Sequence, residues 1–177
     1  MSVQIEQAPN EMTLSPTPDF ERFYRDQWSG VLSLVYVLSG SAWGAEDIAQ
    51  DAFERAHREW DRVSRFDYPG AWVRTVALNL ARSRLRRAGA ELRAVRRWFG
   101  MQTSAFPDLE PASEEFWSAV RALPMRQREA VALHYVEDRS VREIAEILGV
   151  TESTVKTSLQ KGRAALAKRL DEMEVTP

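Results

Sequence analysis

The 177 residues are 44% apolar and include six Trp, which is material for one or two compact cores; the absence of Cys excludes disulfides and thiolate metal sites. A net charge of −2 excludes indiscriminate coating of nucleic acid, since that rests on an excess of Lys and Arg over phosphates. The charge is unevenly spread, with seven Arg against the single Glu91 in residues 82–97 and twelve acids against seven bases in residues 1–81. A small basic patch on an acidic protein points to aimed rather than general binding.

Residues 1–18, with Pro9, Pro16 and Pro18 among polar side chains, are expected to form a disordered tail. No basic start, apolar run and small-residue cleavage site occur together, and "VLSLVYVLSG" falls well short of the about twenty residues a bilayer requires. Residence in the cytoplasm without membrane insertion is the expectation. From Asp19, the residues Phe20, Phe23, Trp28, Val31, Leu34, Val35 and Leu38 follow a helical period that "SGSAWG" interrupts. In "AEDIAQDAFERAHREW", Ile48, Ala52, Phe53, Ala56 and Trp60 form an inward stripe, while Asp47, Gln50, Asp51 and Glu54 gather on another face. Glu46 and Asp47 are expected in the first turn, where the helix dipole favours acids.

A turn-rich "DRVSRFDYPG" leads, through Pro69, to a helix expected from about Ala71 to Arg87, with Trp72, Val76 and Leu80 repeating along it. Gly, Pro and Ser enter over residues 88–112, whose linker proper is expected at 91–112. Extended at roughly 3.3–3.6 Å per residue, this stretch reaches about 80–90 Å. That equals more than two turns of B-DNA at about 34 Å each.

Four helical signatures follow within residues 113–173. The first lies around Glu114 to Leu123, and Pro124 starts the second, whose core stripe is expected to include Val131 and Tyr135. Ser140-Val141-Arg142-Glu143 matches a capping box, Gly149 suits a left-handed helix end, and Thr151 caps the last helix with Val150 spaced to staple onto Val155. Val155, Leu159, Leu166 and Leu170 give its buried seam. No strand-like alternation stands out, so the fold class is all-α.

Two stretches carry chemistry. Ser140 to Arg163 reads as a helix-turn-helix, whose second helix enters the major groove by its N-terminal part. With Val155 and Leu159 inward, Glu152, Ser153, Thr154, Lys156, Thr157, Gln160, Lys161 and Arg163 are the available readers, the cations for phosphates and Gln160 or Lys156 for base edges. In "YPGAWVRTVALNLARSRLRR", Asn79 stands with Arg82, Arg86 and Arg87 beyond it, and the preceding loop offers Phe66 and Tyr68. An amide can read a base edge, aromatics can stack on unpaired bases, and arginines can track a backbone, which together suit single-stranded DNA. His57 and His134 lie apart without a nucleophile or ligand cluster, no Gly-rich phosphate loop is present, and neither enzyme activity, cofactor nor metal is expected.

In this order, with a linker between, the stretches resemble the extracytoplasmic-function sigma factors, the compact branch of the bacterial sigma-70 family, from roughly Asp19 to Leu170. The resemblance implies two small helical domains joined by a flexible linker: region 2 over residues 19–90 and region 4 over residues 113–173. It implies that Asp47, Gln50, Asp51 and Glu54 contact the clamp of core RNA polymerase. It further implies that "AWVRTVALNLARSRLRR" melts promoter DNA with Asn79 helping to read the −10 element, that the last helix reads the −35 element, and that an anti-sigma factor is a frequent partner. Ser83 departs from the acid many relatives carry there. The main alternative is a conventional helix-turn-helix regulator with a LuxR-type reader, although the N-terminal half lacks the strand pattern of a receiver domain. An adaptor whose acidic helix binds another regulator is the third reading.

Overall fold

The computed structural model describes residues 19–40, 42–95 and 114–174, so the expected tail and nearly all of the expected linker lie outside the described residues. Eight helices occur among them: α1 (Phe20–Ser39), α2 (Ala42–Arg58), α3 (Trp60–Val63), α4 (Pro69–Val95), α5 (Glu114–Arg121), α6 (Met125–Tyr135), α7 (Val141–Leu148) and α8 (Glu152–Glu174). The Asp19 side chain caps α1 by accepting from the Glu21 N–H at 2.9 Å, and Gly40 at φ 70° ends it in the left-handed region. α2 begins at Ala42, so Glu46 and Asp47 fall one turn later than the sequence suggested, outside the first turn. Pro69 opens α4 as expected, and the helix runs past the expected end near Arg87, through Gly89, to Val95. The helical period simply continues, and a single Gly costs a helix only about 1 kcal/mol.

The first lobe packs α1, α2 and α4 around Val31, Val35, Ile48, Phe53, Val73 and Ala77. On α4, Val73 and Ala77, expected on the apolar face beside Trp72, Val76 and Leu80, are the deepest positions together with Leu78 and Ala81, while Trp72, Val76 and Leu80 are half-buried. Aromatic rings close one end of the lobe: Phe20 meets Trp60 edge-on at 5.2 Å, and Tyr24 stacks on Trp28 at 5.0 Å. In the second lobe, α7 carries the complete capping box, Ser140 with Glu143, and ends on Gly149 at φ 64°. Gly162 of α8 is buried against α6, where a Cβ would stand 2.9 Å from Val131 Cγ2. Tyr135, expected in the core, is exposed because it is the last residue of α6, where the chain turns outward; its hydroxyl instead accepts from Arg163 Nε at 2.6 Å.

The lobes are packed on each other. Leu34, Val37 and Leu38 of α1 and Leu78 of α4 belong to the same buried cluster as Val131, Leu133, Ile144, Val155 and Leu159.

Candidate nucleic-acid and polymerase interfaces

The prospective single-strand site starts at the α3–α4 connector, where Phe66 and Tyr68 are exposed by 39% and 56%. The Arg62 guanidinium lies 5.8 Å from the Phe66 ring centre. Asn79 is exposed on α4, about 16 Å along the axis from Tyr68 at roughly 1.5 Å per residue. Asn79, Arg82 and Arg86 share one face by the three- and four-residue helix spacing. Arg86 and Arg87 are exposed, and Arg87 reaches Ser83 Oγ at 3.4 Å.

Arg82 differs from its neighbours. Its Nη1 donates to Asn79 Oδ1 at 3.0 Å, while Nε and Nη2 donate to the two oxygens of Glu129 at 2.5 and 2.8 Å. Glu129 is only 1% exposed. Its hydrogen bond raises the Arg82 pKa, against the lowering effect of burial. This arginine is therefore already engaged with a carboxylate of the second lobe.

On α2, Asp47, Gln50 and Glu54 are exposed and Asp51 is half-buried. Arg84 of α4 bridges two of them, reaching Asp47 at 3.2 Å and Asp51 at 3.1 Å. Gln50 and Glu54 line a groove of about 540 Å³ with Phe20, Tyr24, Phe53 and His57. Its lining mixes apolar rings, Phe20, Tyr24 and Phe53, with polar Gln50, Glu54 and His57, a mixture that suits a protein partner.

On α8, Glu152, Ser153, Lys156, Thr157, Gln160, Lys161 and Arg163 are exposed and Thr154 is half-buried. Several are partly committed. The Thr154 N–H donates to Thr151 Oγ1 at 3.3 Å, completing the cap, and Thr157 Oγ1 donates to Ser153 O at 2.9 Å. Lys156 lies 3.9 Å from Glu152, an exposed pair worth little. Arg163 lies over Tyr135, 5.6 Å from its ring centre, so it sits on the flank facing α6.

Sequence reasoning missed two sets of residues. Arg126 and Gln127 of the first turn of α6 line a groove of about 520 Å³ with Ser153, Thr157, Ser158 and Lys161. Pro124 before a helix start was the available signal, because an α-helix N-terminus with cations beside it attracts anions. The second set lies between the lobes and is nearly dry: Arg74 at 3% exposure pairs with Glu137, whose side chain is 2% exposed. Arg74 Nη1 also donates to Gln27 Oε1 at 2.7 Å and Gly70 O at 3.0 Å. Burial lowers the Arg128 pKa, and the like charge of Arg121 adds to that. Among the described residues, no group of His, Asp and Glu forms a metal site, and no helix is long and apolar enough to cross a membrane.

Two family models match the chain, "Sigma-70 region 2" over residues 23–91 and "Sigma-70, region 4" over residues 113–166. The ECF RNA polymerase sigma factor SigW of Bacillus subtilis is 28% identical over 169 residues, covering 88% of this chain and 89% of SigW. SigM of Mycobacterium tuberculosis, another ECF RNA polymerase sigma factor, is 29% identical over 163 residues, covering 85% of this chain and 76% of SigM. Among solved structures, the sigma factor RpoE in complex with the anti-sigma factor NepR from Bartonella quintana aligns with a TM-score of 0.74 at 24% identity, covering 90% of this chain and 99% of RpoE. CnrH, solved with the cytosolic domain of CnrY, aligns at 0.62 and 24% identity, covering 86% of this chain and 88% of CnrH. At that identity these two likenesses bear on the fold alone.

Proposed function

Because the chain belongs to the sigma-70 family, as an RNA polymerase sigma factor of the ECF type, we propose a division of labour between its two lobes. The first lobe, residues 19–90 extended to the end of α4, docks on the polymerase clamp through Gln50 and Glu54, with Asp47 and Asp51 tied into the face by Arg84. Asn79 takes a base of the −10 element once the duplex has opened, Phe66 or Tyr68 stacks on an unpaired base, and Arg82, Arg86 and Arg87 steady the strand. Trapping unpaired bases shifts an existing opening equilibrium, so no hydrolysis is asked of this chain. The second lobe, residues 113–173, sets Lys156 and Gln160 against base edges of the −35 element, with Lys161 and Arg163 on phosphates.

The observation that supports this reading best is the exposure of two readers on separate lobes, Asn79 with Arg86 and Arg87 on α4 and Lys156 with Gln160 on α8. A stand-alone regulator needs only the second. Residence in the cytoplasm is part of this reading, because promoter DNA and polymerase are there. RpoE was solved with an anti-sigma factor, and we extend that class of partner to this chain.

The test combines purified protein, core RNA polymerase and genomic fragments, with permanganate reporting unpaired thymines. Discrete transcript starts with local melting are expected. Specific duplex binding by the protein alone, without binding to core, would overturn the reading in favour of a conventional regulator.

A further inference from the structure

The connector before α4 offers two exposed rings, and their surroundings distinguish them. Phe66 ends a run of backbone turns that starts at α3. Arg62 and Val63 each donate to Glu59 O at 2.9 Å, Ser64 to Trp60 O at 2.9 Å, Arg65 to Arg62 O at 3.2 Å and Phe66 to Val63 O at 3.1 Å. Buried Trp60 and Val63 root these turns in the first lobe, with Trp60 packed on Phe20 and Phe23 at 5.2 and 4.8 Å between ring centres. The backbone beneath Phe66 is therefore fixed. Its side chain is held too, because the Arg62 guanidinium lies over the ring, 5.8 Å from its centre, and is itself tied by an ion pair to Glu59. Even so, 39% of Phe66 stays exposed. Tyr68 differs: it lines a small cavity of about 220 Å³ with Gln27, Arg74, Arg139 and Glu143, and among the described residues no guanidinium is seated over its ring.

We infer that Phe66, and not Tyr68, is the platform on which an unpaired base stacks, and that Glu59 and Arg62 are its positioning residues: Glu59 orients the guanidinium, and the guanidinium holds the ring in the attitude that receives the base. This deepens the single-strand reading of the first lobe and rests on it. A ring already held loses less freedom when a base arrives, so more of the stacking energy appears as affinity.

The size of the effect follows from the contact. Base stacking on an aromatic side chain is lost on truncation to Ala by roughly 5- to 150-fold in binding. An exposed cation seated over a ring is worth about two- to fivefold, which bounds what Arg62 can add by positioning. Arg62 could instead reach a phosphate, and Glu59 separates the two roles by sign. In the positioning role the carboxylate helps, so removing it weakens strand binding. In a phosphate role the carboxylate competes with the strand, so removing it tightens binding. Glu59 makes no side-chain cap bond to α3, so its replacement leaves the turn intact.

The test uses the full chain with core polymerase and a fluorescent single-stranded oligonucleotide carrying the −10 element of a promoter mapped with that holoenzyme. Affinity is read by anisotropy over a salt series. Phe66→Ala and Phe66→Leu should both weaken binding by roughly 5- to 150-fold, the second because it keeps apolar volume without a flat ring. Tyr68→Ala should change it by less than about twofold. Arg62→Gln should cost about two- to fivefold with the salt slope unchanged, and Glu59→Ala should weaken binding by less. Helical circular dichroism and affinity for core equal to those of the starting protein exclude misfolding as the cause. Dependence on Tyr68 with Phe66 dispensable overturns the platform. Tighter binding by Glu59→Ala, or a salt slope lower by about 0.7 in Arg62→Gln, overturns the positioning role. A holoenzyme that starts transcripts yet binds no −10 strand overturns the platform alone, whereas a chain that does not join core overturns the sigma reading together with it.

Discussion

Replacing Asn79 by Ala removes a side chain that is exposed and makes one hydrogen bond, accepting from Arg82 Nη1 at 3.0 Å. Arg82 keeps both bonds to Glu129. The folded protein should therefore change by no more than about 0.5 kcal/mol, the range for surface substitutions away from special features. For a chain of this size that is about 2 °C or less in Tm. A side-chain amide paired to a base edge contributes about 1–3 kcal/mol of discrimination. Its loss should lower the yield of melted promoter by roughly 5- to 150-fold, each 1.4 kcal/mol being tenfold. Core binding measured by fluorescence anisotropy should not change, because the proposed docking face lies on α2. Permanganate reactivity, anisotropy and a thermal melt on the same preparation distinguish the outcomes. Parallel loss of core binding and melting, or a melt several degrees lower, would show that Asn79 supports the fold or the polymerase contact.

Other substitutions probe the second lobe. Lys156→Ala and Gln160→Ala should change base preference in the upstream box only, whereas Lys161→Ala should weaken all sequences alike and reduce the salt slope by about one; a uniform fall for Gln160→Ala in a binding-site selection would assign it to the backbone instead. The Glu143 carboxylate is held below its ordinary pKa first by the Ser140 N–H, then by the Ser140 hydroxyl and Arg139. Its contribution is therefore full above the ordinary carboxylate value and lost as pH falls through the lowered one. Thermal melts from about pH 6 to about pH 3 should lose less stability with acid in Glu143→Gln than in the unsubstituted protein, and equal slopes would remove Glu143 from the acid response. Gly162→Ala gains about 1 kcal/mol of helix propensity but forces a contact at 2.9 Å on buried, stiff Val131. Since such overpacking costs about 1–3 kcal/mol, a net loss of about 1 kcal/mol is expected in urea denaturation, and a gain would show that α6 and α8 yield easily.

Local chemistry made most of the helices legible. Ser140 with Glu143, Gly149 and Thr151 are signals within a few residues of each other, and all three act at helix ends as their types predict. The continuation of α4 to Val95 was harder, because Gly and Arg suggest a break only when the preceding turns are not already helical. Exposure of Asn79, Lys156 and Gln160 followed from the apolar positions beside them. The seam between the lobes was invisible for a different reason. Arg74, Glu129 and Glu137 look like surface charges in sequence, since a buried ion pair is created by two distant segments and has no period of its own. The place of Arg82 in an Arg run points to DNA, and nothing nearby in the sequence signals that Glu129 meets it. Spacing alone puts Tyr135 inside, whereas it is the last residue of its helix and exposed.

The buried cluster that crosses the seam has a practical outcome for anyone dividing the molecule. Leu34, Val37, Leu38 and Leu78 are completed by side chains from α5 to α8. A first lobe excised at the end of α4 would present these four to water as one apolar strip, the kind of patch that drives self-association. Solubility of either lobe is thus a property of the pair, and aggregation of an isolated fragment would reflect where it was cut rather than a failure of its own helices to form.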